Sequence, residues 1–93
     1  MSNQQNKNFP EGWIALGNSY AATDESDQAL GAYRSCLRLF PGCHHSHIFI
    51  GMEFIRTNNL KSAINSFNEA LNISDTDPAI YNEIGVVYFK LKE

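Results

Sequence analysis

The sequence predicts an all-α solenoid of stacked helix-turn-helix units, and three regularities predict it. Gly17, Gly51 and Gly85 stand at equal intervals along the chain. Each glycine follows a branched aliphatic (Leu16, Ile50, Ile84) and precedes, by three positions, an aromatic ring (Tyr20, Phe54, Tyr88). Farther along each unit, Ala29, Tyr33 and Cys36 recur one such interval later as Ala63, Phe67 and Ala70. A plain helical bundle has no reason to repeat at this interval, whereas a stack of equivalent helix pairs does.

The elements follow in order. A first helix is expected over 10–22, where Trp13, Leu16 and Tyr20 keep a 3–4 spacing and so share one face. Pro10 suits its first position. Residues 23–26 form a short polar turn, and a second helix over 27–39 carries Ala29 and Tyr33. Phe40-Pro41-Gly42 ends it, because the proline ring and the glycine both break a helix. A third helix over 44–57 holds Ile50, Gly51 and Phe54, Asn58-Asn59 makes the next turn, and a fourth helix over 60–73 holds Ala63, Phe67 and Ala70. The fifth, over 78–91, opens on Pro78 with Asp77 as its cap and carries Ile84, Gly85 and Tyr88. The expected organisation is a flexible polar tail over 1–9, one unit over 10–43, a second over 44–77, and the first helix of a third over 78–93.

Within a unit the two helices, A and B, run antiparallel. Gly17 and Gly51 are expected to meet Ala29 and Ala63, so that the axes approach closely and large neighbours fill the remaining holes. A helical glycine costs ~1 kcal/mol relative to alanine, and its recurrence at equivalent positions suggests that packing offsets the cost. The last A helix has no B partner in the sequence. Val87, Tyr88 and Leu91 are therefore expected to be partly bare, as in a piece of a longer array or a shortened gene product.

Period and pattern are those of the tetratricopeptide repeat (TPR), whose unit is about 34 residues long. Trp13, Leu16, Gly17, Tyr20, Ala29, Tyr33 and Pro41 match the first unit almost throughout. The second unit departs from it, with His47 in place of a bulky aromatic and Asp75 in place of the proline. Residues outside the repeat consensus are more specific. Trp13-Ile14-Ala15, Phe40-Pro41-Gly42-Cys43-His44, Ile50-Gly51-Met52-Glu53, Arg56-Thr57-Asn58-Asn59-Leu60 and Tyr81-Asn82-Glu83-Ile84-Gly85-Val86-Val87 follow one another in order. Over residues 10–93 the string resembles the cell-division-cycle-sixteen (subunit six) family of the anaphase-promoting complex, a ubiquitin ligase of the cell cycle. The resemblance implies a non-catalytic scaffold of the nucleus and cytoplasm whose partners are the other subunits of that complex. It also implies a small partner peptide in the groove of the later repeats. The amino-terminal repeats through which the family forms homodimers have no counterpart here.

Composition agrees with a folded protein-binding module. The apolar fraction is 43%, close to the usual globular value, and the net charge is −3. That charge argues against nucleic-acid or anionic-membrane partners, which select a basic stripe. No apolar run approaches the ~20 residues of a membrane span. Two cysteines do not make a disulfide framework, so free thiols and an intracellular setting are expected.

The inner face of a TPR array is lined by its A helices. Alignment to the repeat places Ile14, Asn18, Ala21, His45, Phe49, Met52, Ala79, Asn82, Glu83 and Val86 there. Apolar groups with spaced amides suit a peptide whose backbone the amides grip; packing against the next turn of a longer superhelix is the competing role. A clamp for a chaperone's terminal carboxylate needs lysines or arginines, and Ile14, Ala79 and Glu83 hold those places. Cys43-His44-His45-Ser46-His47 has metal-binding residue types, but Cys43 and His44 are adjacent and His47 falls on a packing position, so no metal or other cofactor is expected. A thiol enzyme would need a cysteine beside a histidine base, yet no phosphate loop, nucleophile elbow or paired-carboxylate site accompanies Cys36 or Cys43, so no catalytic residue is assigned. An unrelated TPR adaptor is the remaining alternative.

Overall fold

The computed structural model describes residues 9–92. Residues 1–8, most of the expected tail, lie outside the described residues, and Phe9 is the residue that leads into the first helix. Five helices make up the described chain: α1 (Pro10–Ala22), α2 (Ser26–Leu39), α3 (His44–Arg56), α4 (Leu60–Ile73) and α5 (Pro78–Lys92). The limits differ from those expected by single positions: α2 begins at Ser26, α3 stops at Arg56 and α5 continues to Lys92.

The two A-to-B turns share one geometry, at equivalent places in the two units. Asp24 and Asn58 both take left-handed backbone, at φ 62° and 64°. The next amides, Glu25 N and Asn59 N, donate back to Tyr20 O (2.9 Å) and Phe54 O (2.7 Å). Asp24 N and Asn58 N donate to Ala21 O and Ile55 O. This is the Schellman closure of a helix end, which satisfies carbonyls the helix leaves unpaired. Asp and Asn tolerate the left-handed state better than most residues. At the start of α5, Asp77 Oδ1 accepts from Ala79 N at 2.9 Å, the cap the sequence suggests.

Helix α1 packs along α2 and α3 along α4, while α2 meets α3 and α4 meets α5. Two apolar clusters result. Ala29, Tyr33 and Ile50 form one, with Tyr20, Phe49 and Phe54 against it. Ile48, Ala63, Phe67, Ala70, Ile80 and Val87 form the other, with Phe54 and Ile84 against it. Phe54 touches both, so it joins the two units. Full burial of one such large side chain contributes roughly 1.5–3 kcal/mol.

Three expectations need correction. Gly17 and Gly51 face rings rather than alanines: a Cβ built at Gly51 would meet Phe67 Cε1 at 2.5 Å and Cζ at 2.6 Å, and one at Gly17 would overlap Tyr33. The B-helix aromatic fills the notch that the A-helix glycine opens. Val87 is fully buried rather than bare. It continues the Ile80/Ile84/Val87 stripe against α4, whereas its neighbour Tyr88 points about 100° away around the helix. Gly85, expected to pack, is exposed, whereas Tyr88 and Leu91 are bare as expected. A Cβ at Gly85 meets nothing within 4 Å, and Tyr88 is 55% accessible, because no ring-bearing B helix stands beside α5 among the described residues.

Candidate protein-binding groove

Helices α1 and α3 leave two adjoining hollows. The first, about 430 Å³, is lined by Pro10, Glu11, Ile14, Ala15 and Asn18 on one side and Cys43, His45 and Phe49 on the other. The second, about 320 Å³, adds Ala21, Ala22, Met52, Glu53 and Arg56, with Tyr33 behind. Asn18 and Phe49 line both, so the hollows form one trough along the A helices.

Two features hold its floor. The Phe49 ring stacks on Tyr33 with centroids 5.7 Å apart and planes 21° from parallel. Tyr33 Oη donates to Asn18 Oδ1 at 2.6 Å, which ties the Asn18 amide to α2. Burial, helped by the Glu53 carboxylate, pushes the Tyr33 hydroxyl up to about 12, so it stays a donor at neutral pH.

A polar network closes one end. Glu53, only 4% exposed, accepts from Arg56 Nη2 and from Ser26 Oγ, each at 2.5 Å. Arg56 Nη1 reaches back to Asp24 Oδ1 at 2.6 Å. Burial alone would raise the Glu53 pKa. The hydrogen bonds from Arg56 and Ser26 and the Arg56 charge outweigh it, and the carboxyl sits below its ordinary range. The network staples the first A-to-B turn to the end of α3. Under α1, buried Ser46 donates to Cys36 Sγ at 3.0 Å, and that thiol donates to Pro10 O at 3.6 Å. Burial pushes the Cys36 thiol up, contrary to what a reactive nucleophile needs.

Ile14, Asn18, Ala21, His45, Phe49 and Met52 thus share the trough. Ala79, Asn82, Glu83 and Val86 lie on α5 and line neither hollow; Ala79, Asn82 and Val86 are exposed and Glu83 is half-buried. Sequence reasoning passed over Glu11 and Ala15, although each stands one full period before a lining residue, His45 and Phe49, and the period alone would have found them. It also missed Glu53 and Arg56, whose partners Ser26 and Asp24 lie in the preceding unit and carry no periodic signal.

The histidine run divides. His47 is half-buried, and burial lowers its pKa. His44 Nε2 lies 2.9 Å and His45 Nε2 3.8 Å from Asp77 Oδ2, so the starts of α3 and α5 meet at one carboxylate. The bond with His44 and the amide of Ala79 hold the Asp77 carboxyl below its usual range.

Comparison with known proteins agrees with this architecture. A tetratricopeptide-repeat sequence model matches residues 10–43, and a TPR-repeat model matches residues 51–92. Anaphase-promoting complex subunit 6 of Arabidopsis thaliana is 49% identical over 85 residues, 91% of this chain. The human cell division cycle protein 16 homolog is 43% identical over 84 residues, 90% of this chain. Anaphase-promoting complex subunit CDC16 of Saccharomyces cerevisiae is 42% identical over 85 residues, 91% of this chain. The chain spans 16%, 14% and 10% of the lengths of these relatives, respectively. No helix among the described residues is long and apolar enough to cross a membrane.

Proposed function

Because this chain belongs to the tetratricopeptide-repeat proteins, we propose that it is a protein-binding scaffold segment that acts within an assembly of the anaphase-promoting-complex type. The observation that carries the proposal is the 49% identity to the Arabidopsis subunit across nine-tenths of the chain, far beyond what the few repeat-consensus positions supply. The units run over 10–43 and 44–77, and 78–93 belongs to a third, whose first helix is α5 up to Lys92; Glu93 lies outside the described residues. The chain contributes surfaces and no catalytic group, and its place of work is the nucleus and cytoplasm. Its partners are other subunits of the complex.

The trough between α1 and α3 is the partner surface we favour. It has apolar walls (Ile14, Phe49, Met52), an amide held by Tyr33 (Asn18) and an acidic residue at each end (Glu11, Glu53). Such a lining suits a peptide that offers apolar side chains and backbone hydrogen bonds. Asn82, Glu83 and Val86 extend the same role onto α5.

The test is affinity capture with the tagged chain from a lysate of dividing cells of its own source, beside the variant Met52→Arg. Met52 is 39% exposed, so the substitution changes the trough without opening the core. Ligase subunits should co-purify with the parent chain and fall away with the variant. Equal recovery with both would remove the trough from the reading, and capture of unrelated proteins alone would make the chain a different TPR adaptor.

A further inference from the structure

We propose that His44, His45 and Asp77 form a three-ligand site for a zinc-class divalent cation at the meeting of α3 and α5. Their ligand atoms all lie within 4.8 Å of one another. The two imidazoles address the same oxygen, with His44 Nε2 2.9 Å and His45 Nε2 3.8 Å from Asp77 Oδ2. Zinc holds such nitrogens and oxygens at about 2.0–2.2 Å, so two ligand atoms in a tetrahedron stand about 3.3–3.5 Å apart. That spacing falls between the two observed distances to Asp77, and the exposed His45 ring is the side chain free to move so that all three ligands reach one ion.

The surroundings supply orientation. Asp77 Oδ1 is engaged by the Ala79 amide, so the carboxylate is held by its other oxygen while Oδ2 faces the histidines. Such outer bonds fix a ligand before the metal arrives. The His44 and His45 rings lie 4.2 Å apart by centroid, tilted by 33°. Imidazole with one carboxylate is a donor set that suits zinc and its first-row neighbours rather than calcium or magnesium, which select oxygen. Three protein ligands leave a position for water, and the helix starts at α3 and α5 both carry partial positive charge. The site is accordingly weaker than a closed four-ligand centre. Its effect would be to tie the first turn of α3 to the first turn of α5, the helix with the barest outer face.

The experiment uses untagged protein, stripped with a chelator and dialysed, then titrated with zinc chloride by calorimetry and with cobalt as an optical probe. One zinc per chain, a higher melting temperature with zinc and a tetrahedral cobalt spectrum are expected. His45→Gln, at an exposed position, and Asp77→Asn, which keeps the helix cap, should each weaken binding by more than about tenfold, the lower end of what loss of even an outer-shell partner costs. Cys43→Ser and His47→Gln should leave it unchanged. No saturable binding by the parent chain would overturn the proposal. So would affinity that survives both His45→Gln and Asp77→Asn, or that disappears with Cys43→Ser, which would assign the ion to a thiolate instead.

Discussion

The Phe67 ring occupies the place a Gly51 side chain would need: its Cε1 and Cζ lie 2.5 and 2.6 Å from where a Cβ would stand, and the ring is fully buried. Tyr33 does the same at Gly17. A ring seated in a glycine notch is the contact by which each A helix takes its B helix.

That contact makes the three glycines unequal. Gly51→Ala should destabilise the chain by ~1–3 kcal/mol, because a buried ring cannot yield without moving its neighbours. Gly85→Ala should instead stabilise it by up to ~1 kcal/mol, since the added methyl meets nothing and alanine favours helix. Urea unfolding of both variants checks the difference. A gain of equal size at both positions would mean that the notch is not filled in solution.

Acid should loosen the junction of the two units. The Glu53 carboxyl titrates below its ordinary range in the fold, chiefly through Arg56 and Ser26 acting against burial. A carboxyl depressed in this way contributes stability that is fully present above its unfolded pKa and is lost as pH falls through the folded one. Melting temperatures followed from neutral pH down through the carboxylate range should drop for the parent chain. They should drop less for Glu53→Gln, which cannot titrate. Parallel curves would show that Glu53 is not held as an anion.

The left-handed turn at Asn58 should discriminate among side chains. Asn58→Gly is expected to be neutral or slightly stabilising, because glycine reaches φ 64° without penalty. Asn58→Val should cost about 1–3 kcal/mol, since a β-branched residue is strained there. Thermal melts of the pair decide it, and equal melts would mean that the Schellman turn is absent.

Protection from amide hydrogen exchange should be uneven along the chain. It should be greatest in α2 to α4, where Tyr33, Phe67 and the alanines are buried, and least in the second half of α5. Beyond Val87 that helix exposes Tyr88, Phe89 and Leu91 at 55, 66 and 49%. Uniform protection through Lys92 would indicate that something covers this face in solution.

Much of this was legible in the sequence because the signals are local or periodic. Pro10, Pro78 and the Asn58 turn mark helix limits by what their backbones can do, and the constant interval between Gly17, Gly51 and Gly85 locates equivalent positions without any coordinates. What lay hidden depends on direction and depth. The interval says that Gly51 faces the B helix, but not that Phe67 rather than Ala63 is the residue it meets. Reading Val87 and Tyr88 together as bare ignored the turn of the helix between them, which sends one inward and the other out. The pairing of Arg56 with Asp24 joins side chains from different units, that of His44 with Asp77 joins the two ends of one unit, and no spacing rule relates either pair. In the trough, the period found His45 and Phe49 but was not applied backward to Glu11 and Ala15.

If this chain acts as a scaffold segment of an anaphase-promoting-complex-type assembly, as we propose, it should work in place of its counterpart in a relative's subunit. The matched 85 residues of the Arabidopsis subunit would be replaced by the corresponding stretch of this chain. Incorporation of the chimera into the ligase would then be measured by co-purification and gel filtration. The chimera should assemble with the remaining subunits, and Met52→Arg within the inserted stretch should weaken its retention. A folded chimera that stays outside the complex, while the parent subunit enters it under the same conditions, would rule out the scaffold role.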